Sequence, residues 1–399
     1  MRRFIGPILI AVSFLVFTQP ALAQLSSSGG TVVVPPSGVE HADEVGVRAH
    51  TNFLILVPSS ADSAGPSSPS GETPASLACV YKLTKQVKGC PIKKTTENPT
   101  GGANAIAVVS AYDNPDATTD LDTFSTQFGL PSADFSQVYA SGKQPSNDPG
   151  GWSLEEAMAI EWAHAMAPAA KIYLVEAASN SLSDLFKAES VASKLVAAAG
   201  GGEISNSWGG SEFSSELADD KYFKKKTVVY FASSGDSGQL MYPGTSPNAV
   251  SAGGTTVNRD ASGNFTGESG WSYGGDSVYE PRPAYQDIIE NIVGDFRGTP
   301  DFSFDGSPSS GVSVYDADGG YGWLVIGGTA VSSPSLAGIV NAAGHFYGST
   351  KSELTKIYKE YGIPKEYKAW FRDITTGNGC AVGWDFCSGV GSDLTYKGK

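Results

Sequence analysis

Cysteine, basic charge and long apolar runs are all scarce in this chain of 399 residues. Its 27 lysines and arginines face 41 aspartates and glutamates, and the formal net charge of −14 argues against nucleic acid as a partner. One long apolar run exists. Residues 1–23 carry Arg2-Arg3, an apolar stretch from Phe4 to Phe17 and Ala21-Leu22-Ala23 before Gln24, the pattern of a cleaved secretory signal. No other stretch is apolar for long enough to span a bilayer. The mature protein, at −16 after losing Arg2 and Arg3, is therefore expected to be secreted and extracellular, or periplasmic in a Gram-negative cell. It is expected to be free of the membrane and monomeric.

The four cysteines fall in two local couples, Cys79 with Cys90 and Cys380 with Cys387. Exported proteins keep disulfides. Three connectivities exist in principle, and pairing within each couple is expected. A four-cysteine zinc site is disfavoured, because neither couple has the short spacing of such sites.

With 40% hydrophobic residues, the chain can bury one large core or two modest ones. Residues 24–75 are rich in Ser, Pro and Gly, with little periodicity beyond 52–57, and read as a flexible leader. From Asn104 onward, strand-like runs (105–110, 171–175, 204–208, 228–232) alternate with helical ones (117–128, 152–166, 182–199). Such alternation implies an α/β fold for 76–399, a single large domain with a parallel sheet covered by helices on both faces. Function in such folds sits at the carboxyl ends of the strands. Three segments fall there: Ser205-Asn206-Ser207-Trp208-Gly209-Gly210, Ala232-Ser233-Ser234-Gly235-Asp236-Ser237-Gly238, and Gly327-Gly328-Thr329-Ala330-Val331-Ser332-Ser333-Pro334. The last turns into the apolar run 335–340, so residue 330 would sit at a helix N-terminus, where unpaired N–H groups favour an oxyanion.

Those three segments, in that order, resemble the sedolisin family of secreted serine-carboxyl peptidases, which has a subtilisin-like fold. The likeness runs from about 103 to 394 and takes in Tyr242-Pro243, Ala252-Gly253-Gly254-Thr255, Tyr279-Glu280-Pro281-Arg282-Pro283, Thr299-Pro300-Asp301-Phe302-Ser303 and Gly383-Trp384-Asp385. The resemblance implies a glutamate base, an aspartate one helical turn further on, an oxyanion-stabilising aspartate and a nucleophilic serine. Glu155 matches the first and Asp236 the third. Ala159 falls on the helical aspartate and Ala330 on the serine, so two of the four catalytic positions are alanine. Ser207, Trp208 and Gly209 match the strand that binds substrate. A subtilisin triad is incomplete as well, since the first strand ends Val109-Ser110-Ala111-Tyr112 and the helix offers Glu155 in place of histidine.

Ser332 and Ser333 are poor substitutes for a nucleophile, because two or three residues along a helix start turn a side chain by roughly 200 to 300°. Glu156 and Glu161 point off the Glu155 face and are expected to be solvent-facing or structural. His164 is expected to be a satisfied packing group. Only about fifty residues separate Ala23 from Cys79, fewer than the pro-domain usual in the family would need. The resemblance further implies a calcium loop, with the side chains of Asp373 and Asp385 and the carbonyls of Ile374, Ala381 and Gly383 as a hard-oxygen set for Ca2+.

The leading expectation is thus an exported pseudopeptidase that keeps a peptide or protein cleft and a calcium site. Loss of a catalytic serine lowers turnover by about 10⁶, which weighs against the alternative of a weak acid endopeptidase working through Glu155 and Asp236. A third reading is a secreted module whose cleft has no ligand.

Overall fold

The computed structural model describes residues 24–25, 30–58, 67–92, 96–148, 150–236 and 238–399. The expected signal segment, 1–23, lies outside the described residues. Its centre is a ten-stranded sheet. Eight of those strands run parallel, in the spatial order Asp134–Tyr139, Lys171–Ala177, Ala105–Ala111, Gly202–Asn206, Val228–Ser233, Val250–Arg259, Phe302–Asp305, Ser392–Asp393. Chain direction across the sheet reverses beside Ala105–Ala111, and the carboxyl ends of that strand and its two neighbours toward Val250–Arg259 define the cleft.

Strand alternation decides what each face meets. Ile106 and Val108 face the helices Trp152–Met166 and Thr329–Ala343, whereas Ala105, Ala107 and Val109 face helix Leu182–Ala198. Helix Trp152–Met166 is buried along its whole length, because sheet, helix Ala117–Phe128, strand Val312–Asp316 and helix Thr329–Ala343 surround it. Both disulfides, Cys79–Cys90 and Cys380–Cys387, are formed, which removes the zinc alternative. Among the described residues, no helix is long and apolar enough to cross a membrane.

The expectation of a flexible leader over 24–75 needs correction. Strands Gly30–Val33 and Leu54–Pro58 extend an antiparallel sheet with Gly322–Gly327 and Val312–Asp316, and His50–Thr51 forms a further strand. The apolar runs Thr31-Val32-Val33-Val34 and Leu54-Ile55-Leu56-Val57 supply a free sheet edge with a partner, a long-range pairing that the Ser and Pro content around them conceals. The boundary at 75/76 also cuts a real element, since helix Pro74–Val80 is capped by Thr73, whose side chain accepts from Ser76 N.

Candidate active site

Helix Thr329–Ala343 starts at the bottom of the cleft, with residue 330 in its first turn as expected. Asp236 Oδ1 accepts from Thr329 N at 2.7 Å and from Thr329 Oγ1 at 2.8 Å. Burial raises the Asp236 carboxyl to about 7, offset in part by those two bonds. Ala330 N donates at 3.0 Å to the carbonyl of Asn52. Pro334 lies inside the same helix and has no N–H, so the Ala330 carbonyl loses its i+4 donor. The Ser207 hydroxyl takes that place at 2.8 Å, tying the helix to the break between strands Gly202–Asn206 and Trp208–Ser211. The expected single strand over 204–208 is therefore two strands.

Glu155 stands in the first turn of its helix and is fully buried. Its Oε2 accepts from Ser110 Oγ at 2.6 Å, while Oε1 has no partner. Burial raises its pKa to about 7, against the hydroxyls of Ser110 and Ser207. Ala159, one turn on, is buried in the main apolar core. Glu156 and Glu161 are buried too, which excludes the solvent-facing role: Glu161 Oε2 accepts from Tyr315 N at 3.2 Å, and neither Glu156 oxygen has a partner. His164 Nε2 meets the Pro131 carbonyl at 2.9 Å, and burial lowers its pKa.

The hydroxyls after Ala330 are engaged or hidden. Ser333 Oγ bonds Ser205 Oγ at 2.8 Å beneath the sheet, and Ser332 is fully buried. Trp208 is fixed by Nε1 donating to Val109 O at 3.0 Å, and the edge of its strand pairs antiparallel with the chain's own residues, His50 opposite Gly209 and Thr51 opposite Trp208. A cavity of about 710 Å³ remains, walled by Val32, Glu40, His50 and Leu54 on one side and by Asp236 and Trp271 on the other. Asn52, Ser110, Ser233 and Thr329 also line this site, and no motif marks them as its residues. Alternation along 105–111 could have placed Ser110 on the Glu155 face.

At the carboxyl end of the chain, Asp373 and Asp385 converge on one turn. Gly383 N donates to Asp373 Oδ1 at 3.1 Å and Ala381 N to Asp385 Oδ2 at 2.6 Å. Two carboxylates on a turn that also carries the carbonyls of Ala381 and Gly383, beside that of Ile374, form a donor set that fits a hard cation.

No family model matches the chain. Sedolisin of Pseudomonas sp. (strain 101) is 22% identical over 429 aligned residues, spanning 94% of this chain and 68% of that protein. Kumamolisin of Bacillus sp. (strain MN-32) is 28% identical over 382, spanning 82% of this chain and 63% of that protein. Among solved structures, Pseudomonas sedolisin, a serine-carboxyl proteinase complexed with two molecules of pseudo-iodotyrostatin, covers 83% of this chain and 96% of its own at 21% identity, with a TM-score of 0.65. The chain is similar to the sedolisin peptidases over most of its length. Its subtilisin-like fold is shared with an S41 psychrophilic protease, TM-score 0.56 and 20% identity over 82% of this chain and 99% of that one. The chain spans about two thirds of the length of the two curated relatives it matches.

Proposed function

We propose that this sedolisin-family protein is a secreted pseudopeptidase that keeps a peptide cleft and a calcium loop. Ala330 carries the reading. It sits at the N-terminus of a buried helix with its N–H bonded to a peptide carbonyl, and it has no hydroxyl to acylate. Ala159 supports the same reading, since an apolar core position replaces the carboxylate that would share a proton with Glu155. The two disulfides agree with an oxidising, extracellular setting.

The residues at 373–385 would hold Ca2+ through the Asp373 and Asp385 carboxylates and the carbonyls of Ile374, Ala381 and Gly383, and the ion would fix the loop. The chemical elements of an acid peptidase persist in part. Glu155 and Asp236 both titrate near neutrality, and a protonated Asp236 could donate to a developing oxyanion beside Ala330 N. That is the basis of the weaker reading, an acid endopeptidase using another nucleophile.

Incubating the mature protein with a broad peptide library from about pH 3 to 7, with cleavage read by mass spectrometry, separates the two. No specific cleavage is expected. Cleavage that vanishes on Glu155→Ala would overturn the pseudopeptidase reading.

A further inference from the structure

The substrate edge of the cleft already holds a peptide, and that peptide is part of the same chain. Two ladders hold it. On one side His50 and Thr51 pair antiparallel with Gly209 and Trp208; on the other Leu54, Ile55 and Leu56 pair antiparallel with Gly327, Ile326 and Val325. Asn52 and Phe53 lie between the ladders, over the start of helix Thr329–Ala343. Ala330 N donates to the Asn52 carbonyl at 3.0 Å, and the Asn52 side-chain amide donates to Ser233 Oγ at 2.6 Å. Gly328, at φ +117, permits this approach: a methyl group there would stand 2.2 Å from the Asn52 carbonyl oxygen and 2.6 Å from Phe53 Cα. Glu40 clamps the segment, accepting from Ser211 N at 3.0 Å and Gln239 Nε2 at 2.8 Å and standing 3.1 Å from His50 Nε2. Phe53 itself is buried in the core.

We infer that residues 50–54 are the resident ligand of the cleft, lying as a cleaved peptide would lie, with the Asn52–Phe53 bond presented to position 330. The alanine leaves that bond intact, and the segment keeps other peptides out. This inference rests on the peptidase-derived cleft proposed above and goes further by naming its occupant. It also names the preference of the site, a short polar side chain reaching Ser233 followed by a buried aromatic one.

The chemistry this geometry holds in check can be written out. In the variant Ala159→Asp/Ala330→Ser, the introduced hydroxyl oxygen adds to the Asn52 carbonyl carbon and its proton passes to Glu155. The Asn52–Phe53 C–N bond then breaks, with the proton leaving on the Phe53 amine. Water hydrolyses the resulting ester, which frees the Asn52 carboxyl group and restores the hydroxyl.

Two measurements test the inference. Amide hydrogen exchange over 48–56 in the unmodified mature chain reads occupancy without any chemistry, with binding of a labelled peptide Arg-Ala-His-Thr-Asn-Phe-Leu-Ile as its complement. N-terminal sequencing and intact mass of the double variant from about pH 3 to 7 read the register. Exchange as slow as that of strand Ala105–Ala111, no peptide binding, and a concentration-independent new terminus at Phe53 are expected. Fast exchange with saturable binding of the peptide would overturn the resident ligand and leave an open peptide cleft standing. A double variant that cleaves added peptides yet spares Asn52–Phe53 would overturn the register. Slow exchange in a folded double variant that cleaves nothing would keep the occupant and remove the peptidase-derived reading.

Discussion

The carboxylates of the cleft and those of the carboxyl-terminal loop differ in who answers them. Asp385 is enclosed by its own loop: Oδ2 takes Ala381 N, and Oδ1 takes Cys387 N at 3.0 Å and Ser388 N at 2.8 Å. Glu155 depends on distant side chains, with Ser110 at one oxygen and no partner at the other. A carboxylate held by local backbone keeps its partners through side-chain substitution. One answered only by a distant side chain has no such reserve, and an unanswered buried oxygen favours the protonated form.

The sharpest way to break that contrast is pH. Burial raises Glu155 and Asp236 to about 7 and Glu176 and Glu280 to about 8, while Glu156 beside Glu155 is pushed up by burial and by the neighbouring Glu176 and Glu155. Folded-state values above the unfolded ones mean that the native state binds more protons, so stability falls as pH rises from about 4.5 to 8. The shift of Glu155 alone corresponds to roughly 3 kcal/mol. Glu40 works the other way: burial raises it, but bonds from His50 and Ser211 outweigh this and hold it at about 2, a contribution lost as pH falls from about 4.5 toward 2. His164, lowered by burial, also opposes acid stability. Urea titrations should therefore place maximum stability near about pH 5, several kcal/mol above that at pH 8. Glu155→Gln should flatten part of the slope, and a profile that rises from pH 5 to 8 would contradict the burial argument.

Gly328→Ala tests the cleft by crowding it. The added methyl collides with the Asn52 carbonyl, and the backbone is in a left-handed conformation that alanine rarely adopts. Strain and overpacking together should destabilise by about 4 kcal/mol. A loss under about 1 kcal/mol in urea unfolding would show that 52–53 moves away easily.

Calcium tests the other centre. Ligand linkage gives roughly 2.7 kcal/mol at a hundred-fold excess over Kd, so chelation should lower the melting temperature and Asp385→Asn should abolish the response. Melting curves that ignore calcium would remove the ion from the loop.

The sheet and its helices were legible from alternating apolar runs, and helix 152–166 was read with the bounds it has, because local pattern and burial agree there. Glu155 and Asp236 are picked out by their motifs, and the structure sets Glu155 against Ser110 and Asp236 against the start of helix Thr329–Ala343. The occupant of the cleft was hidden. Strand His50–Thr51 is two residues long and exists only because Trp208 and Gly209 lie opposite, about 160 positions away in the chain. The run 52–57 was the one visible trace of it. Burial of Glu156 and Glu161 was also illegible, since acidic residues at helical spacing ordinarily mark a solvated face.

The smallest effect compares one hydroxyl or amide in each region. Asn52→Ala removes the donor to Ser233 Oγ, a buried bond of 2.6 Å that joins two segments 181 residues apart, and should destabilise by about 1 to 2 kcal/mol. Ser388→Ala removes the 3.2 Å bond from Ser388 Oγ to Asp385, but Asp385 Oδ1 keeps the backbone donors of Cys387 and Ser388. Its loss should be about 0.5 kcal/mol or less, because no buried acceptor is left unpaired. Urea unfolding of both variants at about pH 5, where the buried glutamates are mostly protonated, isolates these bonds from the titrating groups. Equal losses would mean that Asn52 is no better anchored than a redundant loop hydroxyl, and the occupancy of the cleft would then rest on the two ladders alone.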